Sequence, residues 1–215
     1  ISTSAANWTS TGVTSGTSIT ETFGNATGGT LTVAAGTLAL TVDSSSPSYA
    51  AVAAGAPGTT QGVLKFRATN EAVNLQKIGL TLANGTYGAS SGSGGNGSAN
   101  LIQVYIYDGL TLVGTATFTG TATVATSTLS STVNLPKDTD KILTVKADLA
   151  SIGVGQPGGI GNLVKIDPNS SEGTGVSSGT TVITGATAGV NGTRIFKSYP
   201  TIAGDTLPTT GAADG

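Results

Sequence analysis

Apolar and polar residues alternate along most of the chain with a period of two, the mark of strands that bury one face. Residues 63–70 give the clearest case, with Leu64, Phe66 and Ala68 on one face and Lys65 and Arg67 on the other. In residues 30–42, Leu31 and Val33, then Leu38 and Leu40, alternate with their neighbours and predict two short strands broken at Ala35-Gly36. Val73 and Leu75 share a phase, but Ile78, Leu80 and Leu82 are displaced from it by one position. That slip predicts a β-bulge near Lys77.

Residues 101–118 read as a hairpin. Ile102, Val104 and Ile106 face one way, Tyr105 and Tyr107 the other, and Leu112, Gly114, Ala116 and Phe118 form the return strand. Asp108-Gly109 supplies the positive φ values of a tight turn. Residues 131–136 and 142–149 read as strands around a charged loop, 137–141, and residues 163–167, 181–185 and 193–199 as further strands. Residues 84–100 are rich in Gly and Ser and read as an exposed loop. No stretch longer than about eight residues holds a helical period. Short strands between turn signals predict an all-β fold, a single β-sandwich of about ten strands.

The two ends differ from this pattern. Residues 1–30 space their apolar side chains widely, at Trp8, Val13, Ile19 and Phe23, and read as an extended leader that lies along another surface. Residues 31–200 are the expected sandwich and residues 201–215 a tail. The last twenty residues, FKSYPTIAGDTLPTTGAADG, are similar to residues 46–62, SPSYAAVAAGAPGTTQG. Each runs Ser-Tyr, small and β-branched residues, a Gly break, a Pro and a Thr-Thr pair. The tail therefore looks like the beginning of a further module.

Composition narrows the class. The chain has 215 residues with 33 glycines, a net charge of −2, 37% apolar residues and only 9% charged ones. Disorder goes with low hydrophobicity and high net charge, so the glycines belong to turns of a folded β protein. Cysteine and histidine are absent, which removes disulfides, thiol chemistry, Cys/His metal sites and the Ser-His-Asp and Cys-His arrangements. The expectation is a protein with no catalytic residues and no cofactor. Without basic clusters, nucleic acid is not an expected partner. No apolar run approaches the length of a membrane-spanning helix.

Few side chains remain for chemistry. Asp138 and Asp140, with Asp108 or Asp148, are candidate oxygen ligands for calcium; the plainer reading is solvated turn residues flanked by Lys137 and Lys141. Tyr105 and Tyr107 are either a sugar-stacking pair or a cross-strand packing ladder. Six glycosylation sequons begin at Asn7, Asn25, Asn84, Asn96, Asn169 and Asn191, most of them in expected Gly-rich loops. Trp8 is costly to leave in water and reads as an anchor on its own domain or on a neighbour. A Thr-array ice-binding surface requires a regular short repeat, and none holds its period here.

The series GVLKFRATNEAVNLQKIGLTL, LIQVYIYDGLTLVGTATF, LPKDTDKILTVKADLASIG and GTRIFKSYPTIA resembles a module of large secreted and surface-layer-like proteins of bacteria, in which copies follow one another. The resemblance implies an immunoglobulin-like or jelly-roll sandwich with an extracellular structural role. A Cys-free sandwich with a polar leader is also similar in architecture to subunits of donor-strand fibres, the TasA-type matrix filaments and archaeal bundling pili. This second resemblance implies a homopolymer at the cell surface, in which each subunit completes its neighbour by β-augmentation. The expected contacts are Trp8, Val13, Ile19 and Phe23 in the donated leader, and Ile202 and Leu207 in the tail. The alternative is one module of a larger cell-surface, S-layer or adhesin protein that binds glycan.

Overall fold

The computed structural model describes residues 10–19, 35–82, 98–120 and 122–198. Contacts divide the chain into two units, residues 1–34 and 35–215. In the first, β1 (Ser10–Thr11) pairs antiparallel with β2 (Ser18–Ile19). The described part of the leader is thus a small hairpin. Its loop closes through hydrogen bonds from the Gly12 amide to the Thr17 carbonyl (2.9 Å) and from the Gly16 amide to the Gly12 carbonyl (2.8 Å).

In the second unit the described strands are β3 (Thr37–Val42), β4 (Ala50–Ala53), β5 (Thr59–Thr69), β6 (Val73–Leu82), β7 (Leu101–Asp108), β8 (Thr111–Ala116), β9 (Val124–Leu135), β10 (Asp140–Leu149), β11 (Leu163–Val164), β12 (Ile166–Gly175), β13 (Thr181–Gly185) and β14 (Thr193–Phe196). Two antiparallel sheets form the sandwich, one ordered β3-β5-β10-β7-β8 and the other β13-β12-β6-β9. A third, small sheet is ordered β11-β14-β4, and in it β14 and β4 run parallel. At one margin of the sandwich β3 lies against β13, and at the other β8 lies against β9. Leu40 bridges to Ala186 at the first margin, and the Ser130 hydroxyl donates to the Val113 carbonyl (3.1 Å) at the second. Strands that would otherwise offer bare edges are covered in this way.

The expected face of β5 is buried: Leu64, Phe66 and Ala68 are wholly excluded from solvent, while Lys65 and Arg67 point out. Leu38 and Leu40 are buried as their alternation predicts. From the facing sheet come Leu75, Ile78, Leu80 and Leu135, so the core is chiefly aliphatic. On the outer face Asp140 pairs with Arg67 (2.9 Å) and more loosely with Lys65 (4.0 Å). Such exposed pairs contribute little to stability.

The bulge expected near Lys77 lies between Leu75 and Lys77, where the pairing with β9 steps from Val133 to Thr128. Residues 129–132 of β9 have no partner in β6 there, and an open cleft of about 270 Å³ is lined by Leu129, Ser131 and Thr132 together with Leu75, Gln76 and Lys77.

Three readings of the hairpin are corrected. Ile102 is 64% exposed because a register slip against β10, between Asp148 and Leu149, leaves it without a partner. A second slip, between Ile106 and Tyr107, inserts Val113 opposite them, so Val113 turns inward and Leu112 outward. The turn residues are Gly109, at φ 59°, and Leu110, rather than Asp108-Gly109. Sequence alternation missed β4 and the first half of β9, and read β12 as ending near Asp167. Ala, Ser, Thr and Gly dominate those segments and give little apolar–polar contrast. Pro168 is tolerated in β12 because the β13 ladder begins only at Ser170, leaving Pro168 paired on one side.

Ser127 sits on the core side of β9, and its buried hydroxyl has no hydrogen-bond partner. An unsatisfied buried hydroxyl costs about 1–3 kcal/mol. Ser127→Ala is therefore expected to hold or raise the midpoint of thermal unfolding; a clear fall would show that the hydroxyl has a stabilising role.

Candidate functional site

Tyr105 and Tyr107 lie on the outer face of the five-stranded sheet, half-buried, with ring centroids 6.4 Å apart and planes tilted by 48°. Lys146, the cross-strand partner of Tyr105, places its ammonium 5.1 Å from the Tyr107 ring centre. The Tyr105 hydroxyl donates to Asp148 Oδ2 (2.8 Å), and this bond to the carboxylate, with burial, pushes the phenol above its ordinary range. The two rings are neighbours on one strand rather than a cross-strand pair, and both contact β10, Tyr105 through Asp148 and Tyr107 through Lys146.

Three of the acidic residues considered for calcium are engaged by other partners. Asp140 faces Arg67, Asp108 faces Lys141 (2.7 Å), and Asp148 accepts from Tyr105 and from the Gly58 amide (2.7 Å). Asp138 occupies a left-handed turn position, φ 56°. Among the described residues no three His, Cys, Asp or Glu side chains cluster as metal ligands.

One carboxylate has a different setting. Glu71, in the turn between β5 and β6, is buried although it is charged. Its Oε1 accepts from the Gly36 amide (3.0 Å) and the Ser178 hydroxyl (2.6 Å), and its Oε2 from the amides of Ser177 (2.7 Å) and Ser178 (2.9 Å). These donors, the Ser178 hydroxyl first, hold its pKa down to about 2 against burial, which acts the other way. The site needs glycine: a Cβ on Gly36 would lie 2.8 Å from the Glu71 side chain, and one on Gly175 would collide with its carboxylate. Asn70 shapes the turn at φ 72° and donates from Nδ2 to the Ala35 carbonyl (2.9 Å). Glu71 thus ties the start of β3 to the β5–β6 and β12–β13 turns, and sequence reading did not single it out.

The small sheet lies at the point where the chain runs on into the tail. Arg194 of β14 donates from Nε to the Tyr49 hydroxyl and from Nη1 to the Gly161 carbonyl, and its guanidinium lies 5.9 Å from the Tyr49 ring centre. β4 follows Tyr49 directly and pairs with β14 through Ala50–Thr193, Ala51–Arg194, Val52–Ile195 and Ala53–Phe196. It is the terminal strand of its sheet. Ala50, Ala51 and Ala53 are exposed; Val52 is partly buried and packs on the core.

Of the expected contact residues, Val13 is fully exposed and Ile19 is 52% exposed. Trp8, Phe23, Ile202 and Leu207 lie outside the described residues. So do the sequon residues Asn7, Asn25, Asn84 and Asn96. Asn169 and Asn191 are exposed, Asn169 within β12 rather than in a loop. The Asn191 side chain donates to the Pro47 carbonyl (3.3 Å). Asn100, at the close of the expected exposed loop, is instead buried, and its side-chain oxygen accepts from the Gly159 amide and the Asn162 side chain, each at 3.1 Å. No protein-family model matches the sequence, and neither does any curated protein. No described helix is long and apolar enough to cross a membrane.

Proposed function

We propose that the protein is a structural subunit of an extracellular filament that grows head-to-tail by β-strand donation. The leader, with Trp8, Val13, Ile19 and Phe23, is the donated segment, and the tail, with Ile202 and Leu207, is a second contact between copies. The observation that carries this reading is the exposure of two apolar side chains, Val13 and Ile19, in and beside the β1–β2 hairpin. Donation into a neighbour buries such side chains and satisfies the backbone of the inserted strand. It requires opening of the β1–β2 pair, which has only two residues on each side, and isolated hairpins of this kind are marginal in water. One heterologous contact repeated without closure produces an open fibre.

Few charges need to be desolvated when such surfaces pack together, since 9% of residues are charged. Exposed Asn169 and Asn191 suit covalent glycans on a secreted chain. The likeness of residues 198–203 to 48–53 favours a second reading, one module of a larger cell-surface, S-layer or adhesin protein.

Electron microscopy of the purified full chain beside a chain lacking residues 1–23 separates the two. Filaments from the full chain and none from the truncation are the expected result. Monomers from both would overturn strand donation by the leader and leave the module reading.

A further inference from the structure

The tail repeats the sequence of a strand that the fold places at an open margin. Ser48-Tyr49-Ala50-Ala51-Val52-Ala53 and Ser198-Tyr199-Pro200-Thr201-Ile202-Ala203 share Ser, Tyr and the final Ala, with Ile in place of Val. The first of these segments is Tyr49 and β4, held against β14 by a four-residue parallel ladder and by the contact of Tyr49 with Arg194. We infer that residues 198–203 of one copy occupy, in a neighbouring copy, the place of residues 48–53 beside β14.

Each position of the segment suits that place. Tyr199 replaces Tyr49 next to Arg194. Ile202 replaces Val52, the one β4 side chain that packs on the core, and fills its place with one more methylene. Pro200 falls on Ala50, the first residue of a strand paired on one side only, where a missing amide hydrogen is tolerated. The resident strand is held chiefly by its backbone ladder, which an incoming strand can reproduce, since three of its four residues are exposed alanines. The likeness also has a physical end. Pro208 aligns with Gly58, whose φ of 61° proline cannot adopt. The exchanged segment therefore stops short of β5.

The direction of the ladder decides that the acceptor is another copy. A strand in the β4 position runs parallel to β14. Two parallel neighbours joined in one chain need a crossover of roughly a dozen residues or more. Pro200 follows Phe196 by only four positions, at the wrong end of β14. A chain cannot place its own residues 200–203 there, but a second copy can. This contact is distinct from that of the leader and rests only on the reading that the chain associates with itself.

The chain has no cysteine, so engineered thiols report the pairing without background. Ala203 takes the place of Ala53, the register partner of Phe196, and adjacent strands hold Cα atoms within disulfide range. Full-length Phe196→Cys and Ala203→Cys are mixed and oxidised under conditions in which the double variant Ala53→Cys/Phe196→Cys closes its internal bond. The expected product is a reducible dimer whose mass shows one copy of each variant. A second pair, Arg194→Cys with Thr201→Cys, tests the same register should loss of the Phe196 ring disturb the fold. Absence of the mixed dimer from both pairs overturns the exchange, as does closure of residues 196 and 203 within one chain in the corresponding double variant. Filaments without these bonds would sink the exchange while leaving donation by the leader intact; the bonds without filaments would do the reverse.

Discussion

Phe66→Ala is expected to destabilise the sandwich by about 3–5 kcal/mol and to lower its thermal midpoint by on the order of 10 °C. Phe66 is the one aromatic side chain among the described residues with no solvent exposure at all. It sits on a central strand, in register with Leu40 of β3 on one side and Lys141 of β10 on the other. Two hydrogen-bonded neighbours fix the backbone around it, so the walls cannot collapse into the space left by the ring. The loss then includes a persistent cavity as well as the transfer of the ring to water. Leu110→Ala is the matched control, since Leu110 is 98% exposed in a turn and such changes stay within about 0.5 kcal/mol. Equal effects of the two substitutions on denaturant unfolding would contradict this placement of the core.

Glu71→Gln is expected to lower the thermal midpoint by several degrees at neutral pH, and the deficit is expected to shrink on acidification. The amide keeps one acceptor oxygen but turns an NH₂ group toward donors, from Gly36, Ser177 and Ser178, that the carboxylate satisfies. The carboxyl has an ordinary value of 4.5 and is held at about 2 in the folded chain. A depressed folded value means that the unfolded chain binds the proton more readily. The stabilisation is therefore complete above about pH 4.5 and is lost progressively as pH falls toward 2. Parallel melts of the two proteins from neutral pH down to pH 2.5 check this. A gap that stays constant across that range would show that Glu71 acts through packing rather than charge. Because Glu71 clamps Gly36, one residue into the sandwich unit, the same variant is expected to loosen the start of β3 before the rest of its sheet in amide exchange.

The legible parts of the fold are those written in local alternation. Leu64, Phe66 and Ala68 announced the buried face of β5. The phase slip between Leu75 and Ile78 announced the bulge of β6, and residues 181–185 announced β13 to the residue. The mistaken positions, Ile102 and Leu112, lie beside bulges whose register slips belong to the pairing of two strands rather than to either sequence alone. For the candidate sites the local signal was weaker still. The Ser-Tyr repeat at residues 48 and 198 was visible as a likeness between two segments, but the strand it encodes was not, because a run of alanines around one valine has no period.

The sequence by itself determined the all-β class, the inward faces of β5 and β6 and the bulge between Leu75 and Lys77. A strand that buries one face must alternate, and alternation can be read within a few residues. Tertiary structure alone decided what meets what across the sandwich. Glu71 became a buried anion site through donors 35, 106 and 107 positions away, and β4 became a parallel neighbour of β14, which follows it by more than a hundred positions. Contacts over such distances depend on how the sheets close on one another, and no local pattern of residues records that closure.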